Sequence, residues 1–418
     1  MPKQNPPGEP VKRLHQGPRP LPLHMAVQTL MWMSSHAALP SLRNGSINWS
    51  PRLARKAASL QRSLQKADPE QFAAALEDQA RQRLAAFADG VLGYRAMPLS
   101  IRPPEPPAVW RGGTTRLLDY GAISGKAKNG PPLLIIPSLI NRSYIVDLTE
   151  RRSLMRYLSS RGYRPLLVDW GETGADERNF TLDDYISGRL TDALTAAHDL
   201  SGQQVTVLGY CMGGLFALAL AQLCPDPVGT LVLLATPWDF AGMDPGKIRM
   251  LRAMMPGLDE MLELGGVMPV DVMQAMFASL DPQLTPRKFQ AFAAMDPQSE
   301  PAREFTALED WVNDGVPLAA AVARETLGGW YVENTTGRGR WRVGGQNIVP
   351  ENITVPTLVI APKRDHIVPP ATVIPLGQKI AGATTLQVDA GHIGMVVGSG
   401  AQKKLYEPLV TWLDVNIR

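Results

Sequence analysis

The chain has 418 residues, 44% hydrophobic and 19% charged, with 42 Lys and Arg against 39 Asp and Glu for a formal net charge of +3. That length leaves room for one large core plus a second piece, and the balance of residue types excludes a disordered or fibrous chain. No long basic run, zinc-ligand spacing or run of about 20 apolar residues stands out, so neither nucleic acid nor a membrane span is indicated. The two cysteines, Cys211 and Cys224, lie too close along one predicted strand-turn-helix for a disulfide framework, which fits a reducing cytoplasm.

Residues through about 22 are rich in Pro and basic side chains, lack the continuous apolar region of a secretory signal, and are expected to be mobile. The stretch 24–49 is moderately apolar, with Met25, Leu30, Met31, Trp32 and Met33, and suits packing on the rest of the protein or contact with a hydrophobic surface. Apolar spacing predicts helices over 52–67 and 69–92. The Pro-rich run 102–108 reads as a linker or extended entry, and strands follow at 115–120 and 132–137. Strand and helix then alternate: strand 164–169, helix 182–200, strand 204–208, helix 213–223, strand 229–235. The alternation lapses over about 238–352 and resumes with strands at 356–361 and 384–388. The expected architecture is α/β with a mostly parallel central sheet. A tail and helical extension would occupy 1–105 and a main domain 106–418, with a cap inserted at about 238–352.

The strongest local signal is the apolar strand from Val205 that runs into Gly209, Tyr210, Cys211, Met212 and Gly213 and then a helix. A nucleophile flanked two places on either side by glycine, between strand and helix, is the nucleophile elbow of the α/β-hydrolase fold, with Cys in place of Ser. Glycine is needed because side chains there would collide across so tight a turn. At the helix N-terminus the dipole favours thiolate, and the Met212 N–H can face a developing oxyanion. Among the six histidines, only His392 follows the last predicted strand, where the fold's chain order of nucleophile, acid and base places the base. Asp365, after the strand at 356–361, is the chosen acid; Asp239 is a competing position, and Asp389 is too close in sequence to turn back onto His392. His366 adjoins Asp365 and would either support it or be an ordinary loop histidine. A second oxyanion donor is expected in the loop after the strand at 132–137, from the backbone of Leu139 or Ile140. No metal site is indicated.

Five segments in order carry a family resemblance: that from Pro137, Ser138 and Leu139 to Leu148; Leu182 to Ile186; Gly209 to Gly214; Asp365 to Pro370; and Gly391 to Gly394. Together they resemble successive signatures of polyhydroxyalkanoate synthases, from about Val109 to the C-terminus. The resemblance implies an acyltransferase: Cys211 carries the acyl group, His392 is its base, and Asp365 serves His392 or the incoming hydroxyl. It implies a 3-hydroxyacyl-CoA substrate, a polyester product and no cofactor. It further implies a homodimer in the cytoplasm that becomes active on a storage granule. The region before the main domain is short, as in forms that work with a second synthase subunit.

Chemistry agrees with the residue types. A thiolate exchanges one thioester for another at little cost and keeps the acyl group activated for transfer. The Met-rich region 243–276 suits core packing of cap helices or an adaptable apolar lining over a greasy product. Two other readings use the same features: a thioesterase, esterase or polyester depolymerase with water as acceptor, and a non-catalytic granule-binding protein of this fold.

Overall fold

The computed structural model describes residues 15–99 and 102–417. They fall into two compact units, one joining the N-terminal segment to Gln274–Asn313, the other made of the stretches on either side of that insert, through 273 and from 314 onward. The insertion expected at about 238–352 is thus shared between them.

The larger unit is built on an eight-stranded sheet. Its strands are β1 (Ala108–Gly112), β2 (Thr115–Asp119), β3 (Pro132–Ile136), β4 (Arg164–Asp169), β5 (Val205–Tyr210), β6 (Val228–Leu234), β7 (Thr357–Pro362) and β8 (Thr384–Val388), in the order β1-β2-β4-β3-β5-β6-β7-β8. The pairs β1–β2 and β2–β4 are antiparallel, and every later pair is parallel. Every residue of β3, β5 and β7 is buried, as continuous apolar strands covered on both faces must be. At the outer edge β8 exposes Thr384 and Thr385, which keeps that edge polar. β1 was not anticipated from sequence, because it follows directly on the Pro-rich run. The helix expected over 182–200 begins with a π-helical turn, Asp184–Leu190, before the α-helix Thr191–Ser201.

The smaller unit packs three N-terminal helices, Leu21–Asn44, Pro51–Lys66 and Pro69–Ala96, with Leu284–Ala293 and Glu300–Asn313. Its core is Phe87, Val91, Tyr94, Phe289, Phe292 and Ala302, with Phe87 and Tyr94 both edge-on to Phe289 at 6.1 and 5.6 Å. Asp68 starts the third helix by accepting from the N–H groups of Glu70 and Gln71 at 3.0 and 2.9 Å. Of the tail expected to be mobile, residues 1–14 lie outside the described residues. Over 15–20 the expectation is overturned: His15 is buried, its ring nitrogens 2.6 Å from Asp310 Oδ1 and 2.8 Å from the Met97 carbonyl. The stretch 24–49 is largely one helix, and the side chains of Met25, Leu30, Met31, Trp32 and Met33 are exposed instead of packed. Among the described residues no helix is long and apolar enough to cross a membrane.

Candidate active site

Parallel pairing puts the carboxyl ends of β3, β5, β7 and β8 on one side of the sheet, and all the candidate residues stand there. Cys211 directly follows β5, with φ 56° and ψ −123°, and the helix Met212–Leu223 starts at the next residue. A side-chain-bearing residue in that left-handed conformation is strained, and the strain aims the thiol off the end of the strand. The ladder locks it, since the Cys211 N–H donates to the Leu234 carbonyl at 2.8 Å. The flanking glycines are obligatory by contact. A Cβ on Gly209 would lie 2.4 Å from the Gly213 carbonyl oxygen, and one on Gly213 only 2.1 Å from that of Ile136. Cys224, at the far end of the same helix, is also unpaired, so the two cysteines form no disulfide.

Asp365 and His392 come together from the loops after β7 and β8. His392 Nδ1 lies 2.6 Å from Asp365 Oδ2, and both residues are buried. The other carboxylate oxygen of Asp365 accepts from the N–H groups of Ile367 and Val368 at 2.9 and 2.8 Å, so the carboxylate is fixed before it meets the imidazole. Burial acts to lower the pKa of His392. The charge on Cys211, with hydrogen bonds to Asp365 and Cys211, more than offsets this and pushes it up to about 10. The imidazole is thereby held protonated between Asp365 and Cys211.

His366 is exposed beside Asp365, and among the described residues no hydrogen bond joins it to Asp365 or His392. Asp239 accepts from Ala241 N–H at 3.1 Å and Asn334 Nδ2 at 2.8 Å, which makes it a turn cap. Asp389 pairs with Arg364 at 2.9 Å. Met212 opens its helix, where first-turn N–H groups have no intrahelical acceptor. The Ile140 N–H donates to Ser138 Oγ at 3.2 Å, and that hydroxyl in turn points at Met212 Sδ, 3.8 Å away. The loop carrying Leu139 and Ile140 is anchored at its far side, where Ser143 Oγ donates to Asp169 at 2.9 Å and Tyr120 and Arg156 hold Asp147 at 2.8 and 2.9 Å.

Two aromatic residues went unnoticed in sequence. Tyr210 stacks on the His392 ring, centroids 5.2 Å apart and planes 28° off parallel, and its hydroxyl donates to the His392 carbonyl at 3.2 Å. Its position inside the glycine elbow was the available signal. Tyr331, in the π-helical turn Glu325–Val332, packs on Phe240 at 4.6 Å. Burial, and then the charges of Cys211 and Asp365, push both phenols well above their ordinary range, so each stays a neutral hydrogen-bond donor beside the site.

A family model described as alpha/beta hydrolase fold matches residues 131–399. Among curated proteins, the chain is 31% identical to the poly(3-hydroxyalkanoate) polymerase subunit PhaC of Thiocystis violacea, covering 79% of this chain and 94% of that one. It is 31% identical to the subunit of the same name from Allochromatium vinosum, over 80% of this chain and 94% of the other. With that from Synechocystis sp. the figures are 33%, 68% and 77%. With its cysteine elbow on a mostly parallel sheet and its likeness to the first two of these proteins over 94% of their length, the chain belongs to the poly(3-hydroxyalkanoate) polymerase subunit PhaC family within the α/β-hydrolase fold.

Proposed function

We propose that the chain transfers 3-hydroxyacyl groups from CoA thioesters, through an acyl-cysteine at Cys211, to a growing polyester. The observation that carries this reading is the nucleophile's identity: a cysteine stands on the elbow of a family named for polymerases, with His392 and Asp365 2.6 Å apart beside it. The Cys211 thiolate attacks the acyl-CoA carbonyl, and the backbone of Met212, with a donor in the Leu139–Ile140 region, stabilises the oxyanion. CoA leaves as its thiol with a proton from His392. The 3-hydroxyl of another unit then attacks the acyl-cysteine, its proton passing to His392 as the ester forms and the Cys211 thiolate is released. Because both oxygens of Asp365 are engaged, the carboxylate orients His392, and the imidazole is the group left to take the hydroxyl's proton. The thioester supplies the activation, so the reaction calls for no resident cofactor. A homodimer, a second synthase subunit and a granule-bound state in the cytoplasm belong to the same reading.

Purified protein mixed with 3-hydroxybutyryl-CoA should release CoA and form insoluble polyester, and the Cys211→Ala variant should do neither. Release of CoA with only free hydroxy acid would replace this reading by hydrolysis.

A further inference from the structure

In the smaller unit the first two helices form a hairpin, joined where Gln61 and Gln65 both donate to the Arg43 carbonyl. Its charge is one-sided. Between residues 21 and 66 the basic side chains are Arg43, Arg52, Arg55, Lys56, Arg62 and Lys66, and no Asp or Glu occurs, in a chain whose charges otherwise nearly balance. Leu21 packs on the core of this unit and Leu64 is buried, but several other apolar side chains of the hairpin are exposed. On the first helix Met25, Trp32 and Met33, at i, i+7 and i+8, share one side and are exposed, Met33 by 60%. On the second, Leu53 and Leu60 are exposed on a stripe whose last member, Leu64, is buried. Arg52 and Lys56 border it, while Arg55, Arg62 and Lys66 line the far side.

From this pairing of exposed apolar and unopposed basic side chains we infer that the hairpin 21–66 docks on an anionic phospholipid surface, its apolar side chains entering the headgroup boundary and its cations meeting lipid phosphates. A helix with Lys and Arg on one face and Leu or Trp on the other lies in such an interface, and each cation adds attraction to negative lipid. Charge selects this occupant over two others. A second copy placed by two-fold symmetry would set the same six cations against themselves. A bare polyester surface offers ester carbonyls but no dense negative charge for them to pair with.

The test is co-sedimentation of the full-length protein with vesicles of phosphatidylcholine alone or containing one third phosphatidylglycerol. Binding should require the anionic lipid and weaken from about 0.1 M to about 1 M salt. The Arg52→Gln/Arg55→Gln/Lys56→Gln variant should lose roughly a hundredfold in affinity, and Trp32→Gln/Met33→Gln at least about tenfold. All five side chains are exposed, so circular dichroism and CoA release should match the parent protein. Equal binding to both vesicle types, or none to either, would overturn the inference. So would an unchanged lipid affinity in the variants, or variants that only turn a dimer into a monomer or only lose adhesion to lipid-free polyester particles.

Discussion

Tyr210 and His392 lie 182 residues apart, yet the phenol ring stacks on the imidazole at 5.2 Å and its hydroxyl holds the carbonyl of the same histidine at 3.2 Å. The residue just before Cys211 thus sets the tilt of the His392 ring. Replacing it by Ala should let the imidazole swing and cost about 100-fold in kcat with KM little changed, while Phe, which keeps the stack, should stay within about tenfold. A merely structural role would lower Tm in both without altering the pH profile of kcat. Loss of imidazole alignment alters that profile in the Ala variant alone.

Asp365→Asn leaves the shape intact and changes the hydrogen-bond pattern. Its amide oxygen must face the Ile367 and Val368 N–H groups, so its NH₂ meets His392 Nδ1 and forces that nitrogen to accept. The proton then sits on Nε2, and the ring cannot take one from an incoming hydroxyl. Polymer formation should fall by about 10⁴-fold with CoA-thioester binding retained. A variant within tenfold of the parent would show that Asp365 does not orient the base.

Gly213→Ala tests the elbow. The added methyl would sit 2.1 Å from the Ile136 carbonyl oxygen and 2.7 Å from that of Pro137, both backbone atoms that cannot swing aside. The loss of stability should reach or exceed about 3 kcal/mol, the upper end for overpacking, and denaturant unfolding measures it.

The sign of the His392 shift fixes a pH dependence. Its folded value of about 10 lies above the ordinary 6.5, so protonation favours the folded state. The stabilisation is complete below about pH 6.5 and is lost as pH rises through about 10. Unfolding measurements across that window should therefore show the parent protein's advantage over His392→Gln shrinking toward high pH. An advantage that is flat or grows would contradict the shift.

Much of this was legible in the sequence, for physical reasons. Strands β3, β4, β5 and β7 are apolar runs because parallel strands are buried on both faces, and β4 and β8 appeared at their observed bounds. The elbow at Cys211 was visible through its glycines, which backbone contacts make irreplaceable, and the pairing of His392 with Asp365 through chain order. What escaped depends on distant partners or on broken periodicity. The stacking of Tyr210 needs a loop 182 residues away. The π-helical turns at Asp184–Leu190 and Glu325–Val332 shift the helical period by about a residue, which an apolar-spacing pattern does not register. The first helix carries apolar side chains on sides that no core covers, so its spacing gave no single buried face.

The covalent intermediate is the most direct test. Protein mixed briefly with 3-hydroxybutyryl-CoA, acid-quenched and digested, should carry the hydroxybutyryl mass on the peptide containing Cys211 and nowhere else, and the Cys211→Ala variant should carry none. Release of CoA without that adduct, or an adduct that persists in the variant or sits on Cys224, would contradict acyl transfer through Cys211.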